Sequence, residues 1–258
     1  MILVKLGGSV ITDKEKLRRF RKTACSRLCK ELKPAKDDLI LIHGAGSFGH
    51  IVASKAQLHL GIKKDDLEKL RQVALVHRDV LDLNAKVLGC MAERKLHGFS
   101  LAPHTVASFS GGKMTGFCPE KFQMLLENDL IPVSFGDVVP DRELTFSICS
   151  GDLLMLALAE HFKPEMAVFV ADVDGVFDKD PKEYKGAKLL GEISKKNIGK
   201  VSAGTRDKDV TGAMRGKLAR MTEIAKHCEN TIILNGNAEG RLGSALKGEE
   251  VVSTRVVA

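Results

Sequence analysis

Glycine turns directly after two apolar runs are the first features of the chain whose residue types and spacing suggest chemistry. Residues 43–50 read His-Gly-Ala-Gly-Ser-Phe-Gly-His and follow the apolar run 39–42 without a spacer, and Gly7-Gly8-Ser9 follows the opening apolar run in the same way. Glycine lets the backbone approach a ligand that a Cβ would exclude, and a helix that starts from such a turn directs free N–H groups at an anion. The turns therefore predict a phosphate site, across which they face each other.

Further polar groups stand at the ends of predicted strands or at the starts of predicted helices. They are Lys5, Ser150-Gly151-Asp152, residues 172–175, and Thr211-Gly212 with Lys217. Ligands of open α/β sheets bind outside the carboxyl ends of the strands, so these groups are expected to share one site. They supply lysines, backbone donors and carboxylates, but no nucleophile paired with a base. This set favours phosphoryl transfer, in which positioning and charge neutralisation do most of the catalysis.

Two familiar phosphate-binding patterns do not fit the chain. The Walker pattern G-x-x-x-x-G-K-[ST] is absent. Residues 44–49 match the dinucleotide pattern G-x-G-x-x-G only formally, because no obvious ribose-binding acid follows about 20 residues later. A dinucleotide-dependent dehydrogenase is therefore retained only as an alternative.

The hydrophobic pattern predicts the elements that must position these groups. Apolar runs of strand length alternate with helical patterns, which is typical of an α/β fold with a mostly parallel sheet covered on both faces. The predicted strands are residues 2–6, 39–42, 99–102, 131–135, 166–171, 231–234 and 251–256. The predicted helices are residues 15–32, 51–58, 65–96, 119–128, 150–162 and 213–228, with hairpin turns at 110–113 and 140–142. Residues 178–207 are polar and rich in lysine, and are predicted to form loops.

The charge of the chain suits anionic partners. The formal net charge is +7 and the pI is about 9.1, with basic residues clustered at 14–22 and 195–200. Nucleic acid is disfavoured because the chain has no Trp and one Tyr for base stacking, and has no helix-turn-helix or zinc-finger pattern. Small phosphorylated ligands explain the charge about as well.

The remaining composition favours a soluble intracellular protein. No apolar run approaches the roughly 18 residues needed to cross a bilayer, and Lys5 interrupts the N-terminal run before a signal peptide is complete. The six cysteines include no C-x-x-C pair, so reduced and mostly buried thiols are expected at positions 25, 29, 90, 118, 149 and 228. A length of 258 residues fits one large domain or two closely joined lobes.

Five motifs, in this order along the chain, resemble those of the amino acid kinase superfamily. They are Lys5-Leu6-Gly7-Gly8-Ser9, residues 43–50, Ser150-Gly151-Asp152, Asp172-Val173-Asp174-Gly175-Val176 and Asp209-Val210-Thr211-Gly212. Within the superfamily the chain is similar to the archaeal-type isopentenyl phosphate kinases over essentially its whole length. The resemblance implies a three-layer αβα sandwich forming a single domain, with a phosphoryl-acceptor lobe of about residues 1–150 and an ATP-binding lobe of about residues 151–258.

The same resemblance implies an activity and its partners. The reaction would be ATP-dependent phosphorylation of isopentenyl phosphate to isopentenyl diphosphate, in isoprenoid synthesis, with Mg²⁺ held mainly by the nucleotide phosphates. The substrate would be a small prenyl phosphate rather than a nucleic acid or a membrane. The protein would be a cytoplasmic homodimer.

Individual residues acquire roles from the resemblance. Lys5 and Lys217 would neutralise the β- and γ-phosphates of ATP. Asp152 would hold both ammonium groups, and Lys14 would reach the transferring phosphoryl group. The implied ATP contacts are Lys5, Gly7, Gly8, Ser9, Gly46, Asp172, Asp174, Gly175, Gly212 and Lys217. The implied acceptor contacts are Gly44, Ala45, His50 and Gly151.

His50 is the residue that separates the candidate acceptors. The matching histidine of the family hydrogen-bonds the phosphate already present on the acceptor, and imidazole can do this in either protonation state. The second ionisation of a phosphate monoester lies at about pH 6, so the acceptor is largely dianionic at neutral pH and needs no general base. Val73, Val76 and Val80 are candidates for a pocket around an apolar tail, although helical spacing of this kind is more often core. His43 is expected to be structural.

Two positions depart from the family pattern. Ala213 stands where the family usually has a second glycine after Gly212, and Leu153 follows Asp152 where a polar or acidic residue is common. If the first position requires a positive φ or a close approach to phosphate, nucleotide binding is weakened. Because Asp152 itself is present, activity is expected to survive both departures.

Rival functions stay open. One is a related kinase for another phosphate or phosphonate, with fosfomycin kinase as the close precedent because it shares the histidine contact. The other is a non-catalytic nucleotide- or RNA-binding regulator, suggested by the positive charge.

Overall fold

A computed structural model describes residues 1–62, 65–181, 183–198 and 208–258, with side chains from residue 216 onward in the last range. The strands are β1 (Ile2–Leu6), β2 (Leu39–His43), β3 (Gly98–Ser100), β4 (Ala107–Ser110), β5 (Lys113–Phe117), β6 (Ile131–Phe135), β7 (Asp137–Asp141), β8 (Thr145–Cys149), β9 (Met166–Ala171), β10 (Glu192–Ile193), β11 (Asn230–Asn235) and β12 (Ser253–Val256). The helices are α1 (Gly8–Ile11), α2 (Lys22–Glu31), α3 (Gly46–Lys55), α4 (Leu67–Glu93), α5 (Pro103–Val106), α6 (Glu120–Leu126), α7 (Gly151–Phe162), α8 (Lys208–Ala225) and α9 (Arg241–Leu246). Short 3₁₀ helices span Lys33–Asp38 and Leu58–Leu60.

The central sheet has eight strands in the order β10-β12-β11-β9-β1-β2-β6-β3. Its neighbouring strands are parallel except for the pair β11 and β12. The carboxyl ends of β11, β9, β1, β2 and β6 therefore lie along one edge of the sheet. The hairpins β4–β5 and β7–β8 form separate two-stranded sheets.

Apolar cores on both faces of the sheet produce the three layers. In β1, Val4 and Leu6 belong to one core with α1, α2, α4 and α9, whereas Leu3 belongs to the other core with α6, α7 and α8. Strands buried on both faces read as continuous apolar runs, and each fully buried leucine contributes about 1.5–3 kcal/mol to stability. The predicted three-layer αβα fold with a mostly parallel sheet is confirmed.

A third apolar cluster separates α4 from the hairpin β7–β8 and includes Val73, Val76, Val80 and Phe135. The long helix α4 starts where the Asp66 carboxylate accepts a hydrogen bond from Lys69 N, at 3.0 Å. None of the helices in the described ranges is long and apolar enough to cross a membrane.

The strands follow the sequence prediction more closely than the helices do. Residues 2–6, 131–135 and 166–171 form strands with the predicted limits, whereas the last strand begins at Ser253 rather than 251. The final long helix begins at Lys208 rather than 213. Of the predicted loop 178–207, the described part contains turns and the short strand β10; residues 182 and 199–207 lie outside the described residues.

The helix predicted for residues 15–32 is wrong in its first half. The helix α2 begins only at Lys22, because the chain before it closes a loop through an antiparallel bridge between Thr12 and Phe20. Arg18 within this loop has a φ of 55°, which no right-handed helix contains. The helix predicted for residues 51–58 starts earlier than predicted, since α3 begins at Gly46, inside the glycine turn rather than after it.

Candidate active site

The glycine turns after β1 and β2 face each other and are in direct backbone contact. A Cβ on Gly44 would lie 2.7 Å from the backbone nitrogen of Gly8, closer than any real Cβ contact. Gly46 has a φ of +50°, a conformation that other residues rarely adopt. The two glycine sequences are thus required first for the turns to meet, and the meeting places both turns at the same edge of the sheet.

A lysine and a carboxylate form the centre of the cleft. Lys5 of β1 places its Nζ 2.9 Å from Asp152 Oδ1, and both side chains are largely buried. Asp152 lies in the first turn of α7, whose N-cap is Ser150. Burial acts to raise the pKa of Asp152, but the charges of Lys5 and, farther away, Lys217 hold it below its usual range. The carboxylate therefore remains ionised at neutral pH.

Lys217 of α8 faces the same carboxylate without forming an ion pair with it. Burial and the charge of Lys5 lower the pKa of Lys217, while Asp152 acts in the opposite direction. The charges of Lys14 and Asp172 also act on Lys217, so three ammonium groups stand against two carboxylates and positive charge is left uncompensated. This arrangement suits a polyphosphate, which supplies the missing negative charge.

Lys14 reaches the site from the loop between α1 and α2. Its Nζ lies 2.7 Å from Oδ2 of Asp172, the residue directly after β9. The other carboxylate oxygen of Asp172, Oδ1, accepts a hydrogen bond from Ser9 Oγ at 2.9 Å. Burial acts to raise the pKa of Asp172, but Lys14 and Ser9 hold it below its usual range. The turn after β1 and the turn after β9 are thereby joined through this carboxylate.

His50 lies in α3, near Lys5 and Lys217. The residue is open to solvent, and the described residues provide no hydrogen-bond partner for its ring. The surrounding protein desolvates the imidazole, and this together with the charges of Lys217 and Lys5 lowers its pKa. A neutral imidazole near two ammonium groups is available to donate a hydrogen bond to an anionic ligand.

His43, at the end of β2, has the structural role expected for it. Its ring is fully buried and stacks on Phe135 at 5.3 Å between ring centroids. The ring nitrogens lie 3.1 Å from the Gly44 carbonyl oxygen and 3.2 Å from Asn84 Oδ1. Burial lowers the pKa of His43 to about 4, so it is neutral at physiological pH.

The predicted tail-binding valines lie beneath the acceptor turn rather than at its surface. Val73, Val76 and Val80 are each at most 5% exposed and belong to the apolar cluster under α3. A Cβ on Gly49 would lie 3.1 Å from Val80, so the glycine turn rests directly on these side chains. Their contact with a substrate stays a prediction.

The residues predicted to contact ATP divide into two groups. Lys5, Gly7, Gly8, Ser9, Gly46 and Asp172 lie in or beside the contacting turns described above. Gly151, which is predicted to contact the acceptor, packs against Lys5 as well. Asp174 instead pairs with Arg241, which follows β11, and accepts a hydrogen bond from Asn235 at the end of β11. Gly175 packs on Thr254 of β12, where a side chain would clash. Gly212 and Ala213 lie on the backbone of α8, and their surroundings fall outside the described residues.

Sequence reasoning missed several charged groups around the cleft. Arg220, one turn after Lys217, donates a hydrogen bond to Ser150 Oγ at 3.2 Å and so ties α8 to the start of α7. The His77 and Asp137 side chains are hydrogen-bonded at 2.6 Å beside the third apolar cluster, and burial raises the pKa of Asp137 to about 6. Only Asp137 had a visible signal, since it follows a glycine at a strand end.

Known proteins match this chain over nearly its whole length, including the residues of the cleft. Residues 1–235 match the amino acid kinase family. The chain is 34% identical to the isopentenyl phosphate kinase of Methanothermobacter thermautotrophicus, over 99% of this chain and 98% of that protein. It is also 34% identical to the isopentenyl phosphate kinase of Thermoplasma acidophilum, over 94% of this chain and 95% of that protein. A solved structure of an isopentenyl phosphate kinase matches with a TM-score of 0.86 at 31% identity, covering 99% of each chain.

Proposed function

The chain belongs to the amino acid kinase family, and from that premise we infer that it transfers the γ-phosphoryl group of ATP to isopentenyl phosphate, giving isopentenyl diphosphate. The observation that carries the choice of a phosphorylated acceptor is His50, whose imidazole lies near Lys5 and Lys217 and has no hydrogen-bond partner among the described residues. A carboxylate acceptor would not need this donor. An acceptor that already bears a phosphate does, because the dianion must be held close to the triphosphate.

The main obstacle to this reaction is the repulsion between two anions. Lys5 and Lys217 would neutralise the β- and γ-phosphates of ATP, and the ion pair with Asp152 would keep Lys5 in place. The amides of the facing glycine turns add hydrogen bonds to the same region. An oxygen of the acceptor phosphate then attacks the γ-phosphorus in line, and the bond from that phosphorus to the β–γ bridging oxygen breaks as ADP leaves. No proton needs to be removed from a dianionic acceptor.

Lys14 would stabilise the phosphoryl group during transfer. In the present structure its ammonium group is paired with Asp172, at the boundary between the turns after β1 and β9. A triphosphate beside Asp172 offers Lys14 a second anionic partner, and the side chain is about half exposed, so it has room to turn. The positive charge would follow the γ-phosphoryl group because that group carries the developing negative charge.

Mg²⁺ is the metal that this chemistry implies, and the donor set is compatible with an ion that arrives on the nucleotide. The two carboxylates nearest the lysines, Asp152 and Asp172, are each already engaged by an ammonium group. We therefore propose that nucleotide phosphates provide most of its ligands, as is usual for Mg²⁺ in kinases. When bound, the ion withdraws charge from the phosphate oxygens.

The division of labour along the chain is part of the proposal. Residues 1–150 supply His50 and the apolar cluster for the acceptor, and residues 151–258 supply Asp152, Asp172 and Lys217 for ATP. Partly exposed members of the apolar cluster, among them Phe146 and Ile148, offer surface for a prenyl tail next to the buried valines. We further propose a cytoplasmic homodimer, as the family resemblance implies.

The test is ADP release with Mg-ATP across isopentenyl phosphate, dimethylallyl phosphate, fosfomycin, UMP and acetylglutamate, for the wild type and His50→Ala. Turnover confined to prenyl phosphates and largely lost in the variant is the expected result. Turnover of fosfomycin alone would leave the kinase in place and replace its substrate. If no acceptor gave ADP release and the protein bound RNA in a salt-sensitive way, the non-catalytic nucleotide- or RNA-binding regulator would be favoured.

A further inference from the structure

The loop that carries Lys14 crosses from one side of the cleft to the other. It spans residues 12–21 and is closed at its base by the bridge between Thr12 and Phe20. The hydroxyl of Thr12 donates to Gly8 O at 2.7 Å and accepts from Ser47 N at 3.0 Å. The base of the loop is therefore fixed to both glycine turns.

The Lys14 side chain itself is held by little else. It is 54% exposed, and its ion pair is with Asp172 on the nucleotide side. Exposed ion pairs of flexible side chains contribute at most about 1 kcal/mol. The position from which Lys14 can reach a phosphoryl group is therefore set by the loop backbone rather than by this pair.

The second leg of the loop is fixed to the acceptor side through Arg18. Its backbone N–H donates to Ser47 O at 3.3 Å, and its guanidinium Nε and Nη2 lie 3.4 Å from Asp79 Oδ1 and 3.6 Å from Asp82 Oδ2. Arg18 also has a φ of 55°. A non-glycine residue keeps this conformation only where its surroundings hold it there.

Asp79 of α4 is the buried partner of Arg18. It is 3% exposed, and a buried carboxylate requires cationic partners. Arg78 also pairs with it, at 2.6 Å, but Arg78 belongs to the same helix and cannot hold the loop. Arg18 is thus the residue that joins the loop to α4, the helix whose valines lie under the acceptor turn.

We propose that Arg18 and Asp79 are positioning residues that hold the Lys14 loop across the cleft, so that the Lys14 ammonium group reaches the phosphoryl group in transfer. The proposal rests on the role given to Lys14 under the proposed function. It predicts that replacing Arg18 lowers kcat because Lys14 is then misplaced. Because Arg78 still neutralises Asp79 when Arg18 is replaced, the Arg18→Gln variant keeps its fold.

The kinetic test compares Arg18→Gln in two backgrounds, the wild type and Lys14→Met. In the wild type we expect kcat to fall about 10- to 100-fold, since small misplacements of a catalytic group have effects of this size, with both KM values within about twofold. In the Lys14→Met background the same change should alter kcat by less than about twofold, because residues that act through one group are not additive. Lys16→Gln is the matched control, since Lys16 is 71% exposed on the same loop.

Equal losses in both backgrounds would mean that Arg18 acts through general stability, and the proposal would be overturned. An unchanged kcat for Arg18→Gln beside an impaired Lys14→Met would overturn it without affecting the proposed function. Full activity of Lys14→Met would instead show that Lys14 has no role in the transfer. The proposal for Arg18 and Asp79 would then be overturned as well.

Hydrogen exchange tests the link between the Lys14 loop and α4 even if the enzyme phosphorylates none of the acceptors. Amides of residues 13–18 should exchange at least about tenfold faster in Arg18→Gln and in Asp79→Asn, and at the wild-type rate in Lys16→Gln, because local opening sets the exchange of a loop. Unchanged exchange in the first two variants would overturn the link between the loop and α4.

Discussion

The proposed nucleotide side of the cleft, around Asp172 and Asp174, and its proposed acceptor side, around His50, differ in how their polar groups are paired. On the nucleotide side Asp172 is engaged by Lys14 and Ser9, and Asp174 is engaged by Arg241 and Asn235. On the acceptor side, His50 has no hydrogen-bond partner within the described ranges. Under the proposed function, a nucleotide must therefore exchange partners with existing pairs, whereas an acceptor phosphate would meet a donor that no described residue engages. The difference predicts that substitutions on the two sides separate into different kinetic effects.

The largest effect is expected where the two sides meet, at Asp152. Asp152→Asn removes the buried carboxylate beside Lys5 and Lys217, so the ammonium groups lose their common anion and their position. We expect kcat to fall about 10²- to 10³-fold, as for the loss of a preorganised electrostatic group. ADP release measures it, and the exposed Glu160→Gln on the same helix is the control. Retention of more than about a tenth of kcat would place the centre of the site elsewhere.

On the acceptor side alone, His50→Ala should raise the KM for the prenyl phosphate about 10- to 100-fold, the range for a hydrogen bond to a charged group. The KM for ATP should stay the same. His50→Gln keeps an N–H donor and should recover part of the loss. A comparable rise in the KM for ATP would break the distinction between the two sides.

On the nucleotide side, Asp174→Asn weakens the link to Arg241 and should raise the KM for ATP about three- to tenfold, as expected for a partly exposed charged pair. The acceptor KM should not change. Glu239→Gln alters an exposed charge on the neighbouring loop and serves as the control. If Asp174→Asn changes only the acceptor KM, the assignment of this carboxylate to the nucleotide side is wrong.

The smallest effect concerns the hairpins that flank the acceptor side, which Asp141 joins. Burial acts to raise the pKa of Asp141, but hydrogen bonds from backbone N–H groups, including those of Leu144 and Gly112, lower it from 3.8 to about 2. A folded-state pKa below the unfolded one contributes stability that is present above about pH 4 and lost as the pH falls through about 2.

Asp141→Asn should therefore flatten the fall in the free energy of unfolding between about pH 4 and pH 2, by about 1–2 kcal/mol given the solvent screening at this peripheral position. Urea unfolding at several pH values measures this slope. The exposed Glu229→Gln should leave it unchanged. An acid slope in Asp141→Asn equal to that of the wild type would contradict the role of this carboxylate.

The sequence determined the sheet, because strands that are buried on both faces must be continuous apolar runs. Residues 2–6 and 166–171 could be placed to the residue for this reason. The polar groups at their ends were visible as a candidate site for the same reason, since parallel strands bring their carboxyl ends to one edge. The limits of α2 could not be predicted in this way, because the pattern of residues 15–21 is compatible with a helix. Tertiary contacts exclude one there: the bridge between Thr12 and Phe20 and the anchoring of Arg18.

The sequence by itself determined which residue types are available at the strand ends, and through them the class of reaction. The tertiary structure decided which of them meet: Lys5 with Asp152, Lys14 with Asp172, and Arg18 with Asp79. It also decided that Gly8 and Gly44 serve the contact between two turns before they serve a ligand. Local patterns record burial and backbone freedom, whereas the partner of a charge far along the chain is fixed only when packing brings the two together in a medium that makes their pairing necessary.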